Sequence, residues 1–286
     1  MLDTSKLDSV ILEKQKLIAD TAYDYSVEFP KTRNTVALKL HIDFQQNGAT
    51  APNEINVVDS IGKITVENED GTELTFVKAW SIFVLQQLLR ELDYPLSAIR
   101  KLKLPAGDNQ YGYVSFMIPL GFGEASGYPA YKKGKLNISF PATHSTIKNR
   151  KVTVIAIVTD EKVNSMLVNR VYQNTTGAVD DVQYQELGYK GSKLVGVQMQ
   201  EQGAERGGTS PDWTIKEIQY CIDKVAKIRH RTEDILARYT TTKEFLDHFN
   251  ILEGKGIEIG DYYSVGYVAG VANSPYLAYA LILKKC

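Results

Sequence analysis

Residues 61–77, with the sequence IGKITVENEDGTELTFV, contain two β-prone segments separated by a turn signal. The segments Ile61–Val66 and Glu73–Val77 are rich in β-branched residues, and the dipeptide Asp70-Gly71 between them is typical of tight hairpins. The stretch therefore predicts an antiparallel hairpin, a basic unit of all-β domains. The sequence on either side of it decides what kind of β protein the chain forms.

Alternation of apolar and polar residues, the period of a β-strand, recurs on both sides of this hairpin. It predicts a strand with one buried face over Val36–Phe44. Residues 151–159, KVTVIAIVT, form a continuous β-branched run, which predicts a strand buried on both faces. Further strands are predicted over residues 111–118, 135–140, 193–200, 214–222, 261–270 and 277–285.

Helical spacing of apolar residues occurs in three places. Residues 4–19 predict an N-terminal helix, which Thr4 or Ser5 could cap. Residues 79–93, AWSIFVLQQLLRELD, and residues 233–249 predict one embedded helix in each half of the chain. The expected fold is therefore mainly β, with short embedded helices.

The two halves resemble each other at an offset of 154 residues. This shift carries Ser60–Ile64 onto Thr214–Ile218 and Gly112–Val114 onto Gly266–Val268. It also pairs Ile82 with Leu236 and Leu92 with Leu246. A repeat of this length predicts two similar domains, because solenoid repeats are much shorter.

Evenly spaced antiparallel strands with one helix per unit predict two tandem jelly rolls, which are β-sandwiches with Greek-key connections. The polar, weakly periodic residues 161–192 predict a connection between them. Only residues 269–286 follow Val268, so the second jelly roll is expected to be shorter. The predicted organisation is an N-terminal helical arm (1–34), jelly roll 1 (35–160), a connecting segment (161–192) and jelly roll 2 (193–286).

The composition argues against several classes of protein. The 33 Lys and Arg residues nearly balance 34 Asp and Glu residues, which disfavours a protein whose main task is to neutralise nucleic acid. No apolar run approaches the ~18 residues that span a bilayer, and the N-terminus lacks the layout of a signal peptide. Cys221 and Cys286 are expected to be unpaired thiols. The 17 tyrosines suggest interfaces, and Trp80 and Trp213 are expected in the core.

The sequence contains no strong catalytic or metal-binding motif. The sequence has four histidines, His41, His144, His230 and His248. None lies at His-x-His or His-x-x-x-His spacing, so no metal cluster is predicted, and His41 is expected to be exposed on its strand. The absence of this cluster also disfavours a metal-dependent cupin-like enzyme.

Glycine-rich and acidic loops do not change this interpretation. Residues 121–127, GFGEASG, lack the spacing of a dinucleotide fingerprint, and residues 188–193, GYKGSK, lack that of a P-loop. The acidic stretch Val179–Asp181 could contact a divalent cation, although two carboxylates in a loop more often form a solvated turn. We therefore predict no catalytic, cofactor-binding or metal-binding residue, and no enzyme activity.

Two stretches resemble the major capsid proteins of the adenovirus-like double jelly-roll viruses. One is residues 56–74, NVVDSIGKITVENEDGTEL, followed by the predicted helix. The other is SFMIPLGFG (115–123) leading to YPAYKKGKLNISF (128–140). In that family a strand ending in an apolar-Pro-Leu-Gly/Pro-Phe turn, here Met117–Phe122, commonly precedes a proline-containing segment and the next strand. The resemblance is good over residues 35–160 and weaker over residues 193–286.

The resemblance implies a structural protein made in the host cytoplasm that self-assembles as pseudo-hexameric homotrimers into the icosahedral capsid of a virion. Its implied partners are further copies of itself, minor or vertex capsid proteins and an internal viral membrane, without sequence-specific nucleic acid binding. Loops 45–57 and 201–213 would cap one end of the barrels. The alternative is a carbohydrate-active or carbohydrate-binding protein with two jelly rolls, against which the missing signal peptide argues.

Overall fold

In the computed structural model the chain forms two compact units, Met1–Val168 with Cys286 and Asn169–Lys285. The structure describes residues 4–82, 85, 101–121, 125–201, 214–232, 247–251 and 256–286. Within these residues both units consist mainly of β-strands, as predicted. The described helices include none that is long and apolar enough to cross a membrane.

The described strands of the first unit form two antiparallel sheets. They are β1 (Asp8–Leu17), β2 (Tyr23–Glu28), β3 (Asn34–Gln46), β4 (Lys63–Asn68), β5 (Gly71–Phe76), β6 (Lys101–Lys103), β7 (Tyr111–Pro119), β8 (Lys135–Phe140) and β9 (Ile147–Thr159). The sheet orders are β1-β9-β3-β7-β6 and β2-β8-β4-β5. A short helix, α1 (Glu54–Asp59), lies between β3 and β4, and 3-10 turns cover Thr4–Lys6 and Ala130–Lys132.

The second unit also contains two sheets. Its described strands are β10 (Ser165–Thr175), β11 (Val182–Glu186), β12 (Lys193–Glu201), β13 (Ile215–Ile222), β14 (Val225–Arg231), β15 (Asp247–Ile251), β16 (Ile257–Glu258), β17 (Tyr263–Ala269) and β18 (Pro275–Lys285). The sheet orders are β10-β18-β12-β15 and β11-β17-β13-β14, and β16 pairs with β12. The division between the two compact units falls within β10.

The two units share one strand order. The sheet β1-β9-β3-β7 of the first unit corresponds to β10-β18-β12-β15 of the second. The sheet β2-β8-β4-β5 corresponds in the same way to β11-β17-β13-β14. Eight strands distributed in this way between two sheets form a jelly roll. The prediction of two tandem jelly rolls is confirmed, and both contain all eight strands.

The predicted N-terminal helix over residues 4–19 is wrong, because this segment contains strand β1, paired with β9. The register shifts twice, between Ile11 and Glu13 and between Glu13 and Lys16, and Gln15 has a φ of 54°. Each irregularity of this kind interrupts the two-residue alternation of a strand. Apolar residues of a bulged strand can then fall at helix-like spacing.

The predicted arm (1–34) and connecting segment (161–192) also differ from the structure. The first contains β1 and β2, and the second contains β10 and β11. These are equivalent strands, the first two of each jelly roll. The second unit spans fewer residues than the first, Asn169–Lys285 against Met1–Val168, and still contains all eight strands. Strand β2 keeps the two-residue alternation, with Asp24, Ser26 and Glu28 exposed and Tyr25 buried, so its sequence already carries the pattern of a strand.

The 154-residue offset relates equivalent strands only in part. It correctly matches β4 with β13 and β5 with β14. Gly112 lies in β7 and Gly266 in β17, however, and these strands are not equivalent. The offset fails because residues 77–110 connect β5 to β7, whereas only residues 232–246 connect β14 to β15. Leu92, Leu236 and Leu246 lie outside the described residues.

Several local predictions for the first unit are confirmed. The hairpin forms as predicted, with Asn68 opposite Gly71 and the Asp70 amide donating to Asn68 Oδ1 at 2.9 Å. Helical residues begin at Ala79, and Trp80 is fully buried as expected. Strand β9 alternates between buried and half-buried residues instead of being buried on both faces.

The remaining helix predictions fall largely outside the described residues. This holds for most of the helix predicted over 79–93 and for residues 233–246 of the second. The last residues of the second prediction, 247–249, belong to strand β15. Trp213 also lies outside the described residues.

The core of the second unit contains a tyrosine cluster. The Tyr267 ring centroid lies 5.8 Å from that of Tyr172 and 5.6 Å from that of Tyr276. The Tyr267 hydroxyl donates to Gln185 Oε1, and the Tyr276 hydroxyl donates to Gln183 Oε1, both at 2.6 Å. Burial raises the pKa of Tyr267 well above its ordinary value. Part of the tyrosine excess therefore serves the core, not an interface.

Substituting Tyr267→Phe should lower the free energy of unfolding of the second unit by about 1–3 kcal/mol. The change removes the donor to Gln185, which is only 4% exposed, and leaves a buried acceptor without that partner. Urea unfolding monitored by circular dichroism measures the loss. Tyr262→Phe, at a residue that is 73% exposed, is the matched control. Equal stability of the two variants would show that the hydroxyl bond contributes nothing.

Candidate assembly surface

The described side chains of His41, His144 and His230 have separate contacts and form no common site. His41 is half-buried rather than exposed, because its ring packs 5.4 Å from that of Tyr113 and its Nε2 lies 3.1 Å from Asp43 Oδ1. His144 contacts Thr146, and His230 packs edge-on against Tyr220. Among the described residues, no group of three or more histidine, cysteine or acidic side chains could hold a metal ion.

The carboxylates of the acidic loop Val179–Asp181 contact neighbouring residues of the same unit. Asp180 forms an ion pair with Lys216. Asp181 Oδ2 accepts a hydrogen bond from the Ala178 amide at 2.9 Å. These contacts are those of a stabilised turn and leave no arrangement that points to a cation. Cys221 is buried and Cys286 is exposed, and neither forms a disulfide within the described residues.

An open concavity of about 600 Å³ lies on the outer face of the sheet β11-β17-β13-β14. Its lining includes Val182 and Val268, with Lys216, Glu217 and Arg229 among its charged residues. The Arg229 guanidinium lies 4.0 Å from the Glu217 carboxylate, and Lys216 pairs with Asp180. Because these acids are held in ion pairs on an open face, the surface is better suited to contact than to acid–base catalysis.

Exposed large apolar side chains concentrate at the open edges of the sheets. Of the nine in the described chain, six lie on or beside edge strands: Ile11 and Leu17 on β1, Leu104 and Tyr111 near β6, and Val225 and Ile228 on β14. Soluble proteins usually protect such edges from pairing with other chains. Apolar residues at several edges therefore mark surfaces that association could cover.

Edge strand β14 combines these apolar residues with positive charge. Val225 is 56% and Ile228 is 43% exposed. Lys227, Arg229 and Arg231 are also exposed, and the strand contains no acidic residue. Lys227 and Arg231 form no ion pair with an acid among the described residues. Strand β14 is therefore an exposed basic edge, and the described acids do not balance the charges of Lys227 and Arg231.

Edge strand β2 of the first unit has the opposite character. Asp24, Ser26 and Glu28 are exposed and alternate with the buried Tyr25. Glu28 lies 3.0 Å from Lys31, whereas Asp24 is paired with no base in the described part of the chain. One side of β2 pairs with β8, and no described strand pairs with the other side. This edge is polar and acidic.

The start of strand β1 is anchored to its own unit. Arg33 donates to Asp8 at 2.7 Å and to Asp160 at 2.9 Å, and Lys6 Nζ lies 2.5 Å from Glu161 Oε1. The hydrogen bond from Arg33 lowers the pKa of Asp8. These contacts and the pairing with β9 make residues 8–17 part of the jelly roll instead of a separate arm.

Comparison with known proteins identifies the fold. No family model matches the sequence, and no curated protein matches it. In structure the chain is similar to the major capsid protein of Sulfolobus turreted icosahedral virus, with a TM-score of 0.66, 11% identity and coverage of 96% of both chains. It is similar to the major capsid protein of bacteriophage PM2, with a TM-score of 0.64, 11% identity and coverage of 98% of both chains.

A third similar structure is the PBCV-1 virus capsid, with a TM-score of 0.59 and 7% identity over 97% of this chain and 94% of that one. The similarity extends through both units, although the identities are low. The chain thus has, over nearly its whole length, the double jelly-roll fold of these viral capsid proteins.

Proposed function

We propose that this chain is the major capsid protein of a virus and that its function is to self-assemble into an icosahedral shell. The observation that carries the proposal is the presence of two complete jelly rolls, with one strand order, in a single chain. This architecture is matched end to end by solved capsid proteins. The proposed activity is structural and not enzymatic.

A homotrimer is the assembly that this architecture favours. Two similar barrels per chain and three chains give six similar barrels, and a ring of six has the hexagonal outline needed to tile a shell. Such a ring requires heterologous contacts that close after three copies. Obligate interfaces of this kind commonly bury ~2,000 Å² or more. A formal net charge of −1 keeps repulsion between identical subunits low.

We assign the two jelly rolls to the two compact units, Met1–Val168 and Asn169–Lys285. The loops between β3 and β4 and between β12 and β13 connect equivalent strands, so they belong to equivalent ends of their barrels. These loops are proposed to cap one end of the capsomer. The proposed location is the virion after synthesis in the host cytoplasm, with minor or vertex capsid proteins and an internal membrane as further partners.

The solution mass of the purified chain tests this function. The proposal predicts a stable particle of three times the 32.0 kDa chain mass, with a hexagonal outline in negative-stain images. Native mass spectrometry and light scattering measure the stoichiometry. A monomer that binds glycans would overturn the proposal and support a carbohydrate-binding protein instead.

A further inference from the structure

We infer that edge strand β14 of one copy pairs with edge strand β2 of a neighbouring copy. This inference rests on the proposed self-assembly and names the strands that form the contact. It would join the sheet β11-β17-β13-β14 of one molecule to the sheet β2-β8-β4-β5 of the next. The occupant of the β14 edge is therefore a second copy of this chain.

Both strands are open in the described structure. β14 pairs on one side with β13, and β2 pairs on one side with β8. The other side of each strand presents main-chain donors and acceptors that a further strand can satisfy. Addition of a strand to such an edge is a common mode of protein recognition, because main-chain hydrogen bonds form without requiring a particular sequence.

The side chains of the two strands are complementary in charge and spacing. In an antiparallel pairing that places Arg229 opposite Ser26, Arg231 faces Asp24, and Lys227, the bulged residue of β14, lies near Glu28. Opposite charges directly across two strands stabilise their pairing, and like charges destabilise it. Strand β2 contains no basic residue, so the pairing brings no two basic residues together.

The charge on each edge argues for a second copy over a nucleic acid or a lipid surface. A polyanion could neutralise Lys227, Arg229 and Arg231, but it would leave the acidic edge of β2 without a role. The second copy matches both edges, and each chain contributes one basic and one acidic strand. A contact between two different surfaces of identical chains is heterologous and can close into a ring.

Charge reversal on β14 tests the contact directly. Reversing Lys227, Arg229 and Arg231 to glutamate together should raise the concentration at which the oligomer half-dissociates by about tenfold or more, because like charges would then face each other. Sedimentation velocity across a dilution series measures this midpoint. Reversal of the other edge, Asp24→Lys with Glu28→Lys, should weaken assembly in the same direction.

Rescue distinguishes pairing of these two strands from binding to other partners. A chain carrying both sets of reversals restores opposite charges across the contact and should assemble within about threefold of wild type. The matched control is Lys63→Glu with Lys193→Glu, which reverses two exposed charges on the interior strands β4 and β12 and should leave assembly unchanged. Thermal unfolding of each variant establishes that it is folded.

The outcomes separate this inference from the proposed function. A wild-type monomer would overturn both. A trimer that persists after reversal of β14, or that weakens without rescue in the combined variant, would overturn the strand pairing and leave the capsid function standing. If reversal of β14 instead abolished binding to vesicles of anionic lipid and left the trimer intact, β14 would be assigned to a membrane. That result would also overturn the strand pairing.

Discussion

Replacing Arg150 with methionine is expected to lower the free energy of unfolding of the first unit by about 3 kcal/mol or more. Arg150 is completely buried. Its Nη1 donates to the carbonyls of Ser60 at 2.7 Å and Pro141 at 2.9 Å. Its Nη2 donates to the carbonyls of Ala19 at 2.6 Å and Thr21 at 3.4 Å.

These four carbonyls belong to three separate connections of the jelly roll. Ala19 and Thr21 lie between β1 and β2, Ser60 follows α1, and Pro141 follows β8. The planar guanidinium can reach all of them because it carries donors in several fixed directions. Burial lowers the pKa of Arg150, so burying the cation is itself unfavourable. Methionine would remove that charge but leave the carbonyls without these donors.

Two further variants separate the contribution of the guanidinium from that of side-chain volume. Arg150→Lys keeps a cation but not the fork, so it should fall between methionine and wild type. Arg33→Met, which breaks the ion pairs with Asp8 and Asp160 at the surface, should cost much less than Arg150→Met. Urea unfolding followed by tryptophan fluorescence, to which the buried Trp80 contributes, measures all three. Equal losses for Arg150→Met and Arg33→Met would contradict the buried role.

No local signal in the sequence identified Arg150. It lies in the polar stretch IKNRK, which predicts the exposed start of a strand. Its four carbonyl acceptors are spread along the chain from residue 19 to residue 141. Only the fold brings them together. Burial of a charged residue in this way depends on tertiary packing, which the period of a sequence does not report.

The strands that the sequence predicted best are those with one clean buried face. In β3 the buried and half-buried residues alternate from Leu38 to Phe44, as the sequence pattern requires. β1 and β10 lack such a pattern over their whole length, because bulges or polar ends interrupt it. The fold class was therefore predictable, whereas the beginning of each jelly roll was not.

The exposed basic edge formed by strand β14 could not be predicted from the sequence either. Residues 225–231 were not predicted as a strand, and nothing in their order shows that they lie at the edge of a sheet. That position depends on which strands pair with β13, namely β14 and β17, and these are separated by residues 232–262. The charges of β14 can be counted in the sequence, but their exposure and their edge position follow only from the sheet order.

Substituting Gly62→Ala is expected to lower the free energy of unfolding of the first unit by about 3 kcal/mol, through strain and a main-chain clash. Gly62 lies between α1 and β4 with a φ of 75°. A Cβ atom at this position would lie 2.2 Å from the Ser139 carbonyl oxygen and 2.8 Å from Pro141 Cδ. The carbonyl belongs to β8, which pairs with β4, so it cannot move without disturbing the sheet.

Gly48→Ala is the matched control because it imposes the same backbone strain without the clash. Gly48 has a φ of 82°, but a Cβ atom there would meet nothing within 4 Å. A left-handed conformation costs an alanine about 1–2 kcal/mol, and the stiffer unfolded chain offsets part of this, so a loss near 1 kcal/mol is expected. The difference between the two variants in urea unfolding measures the contact with β8 alone. If the two losses were equal, only the left-handed conformation would require glycine at position 62, and the close approach of β4 to β8 would play no part.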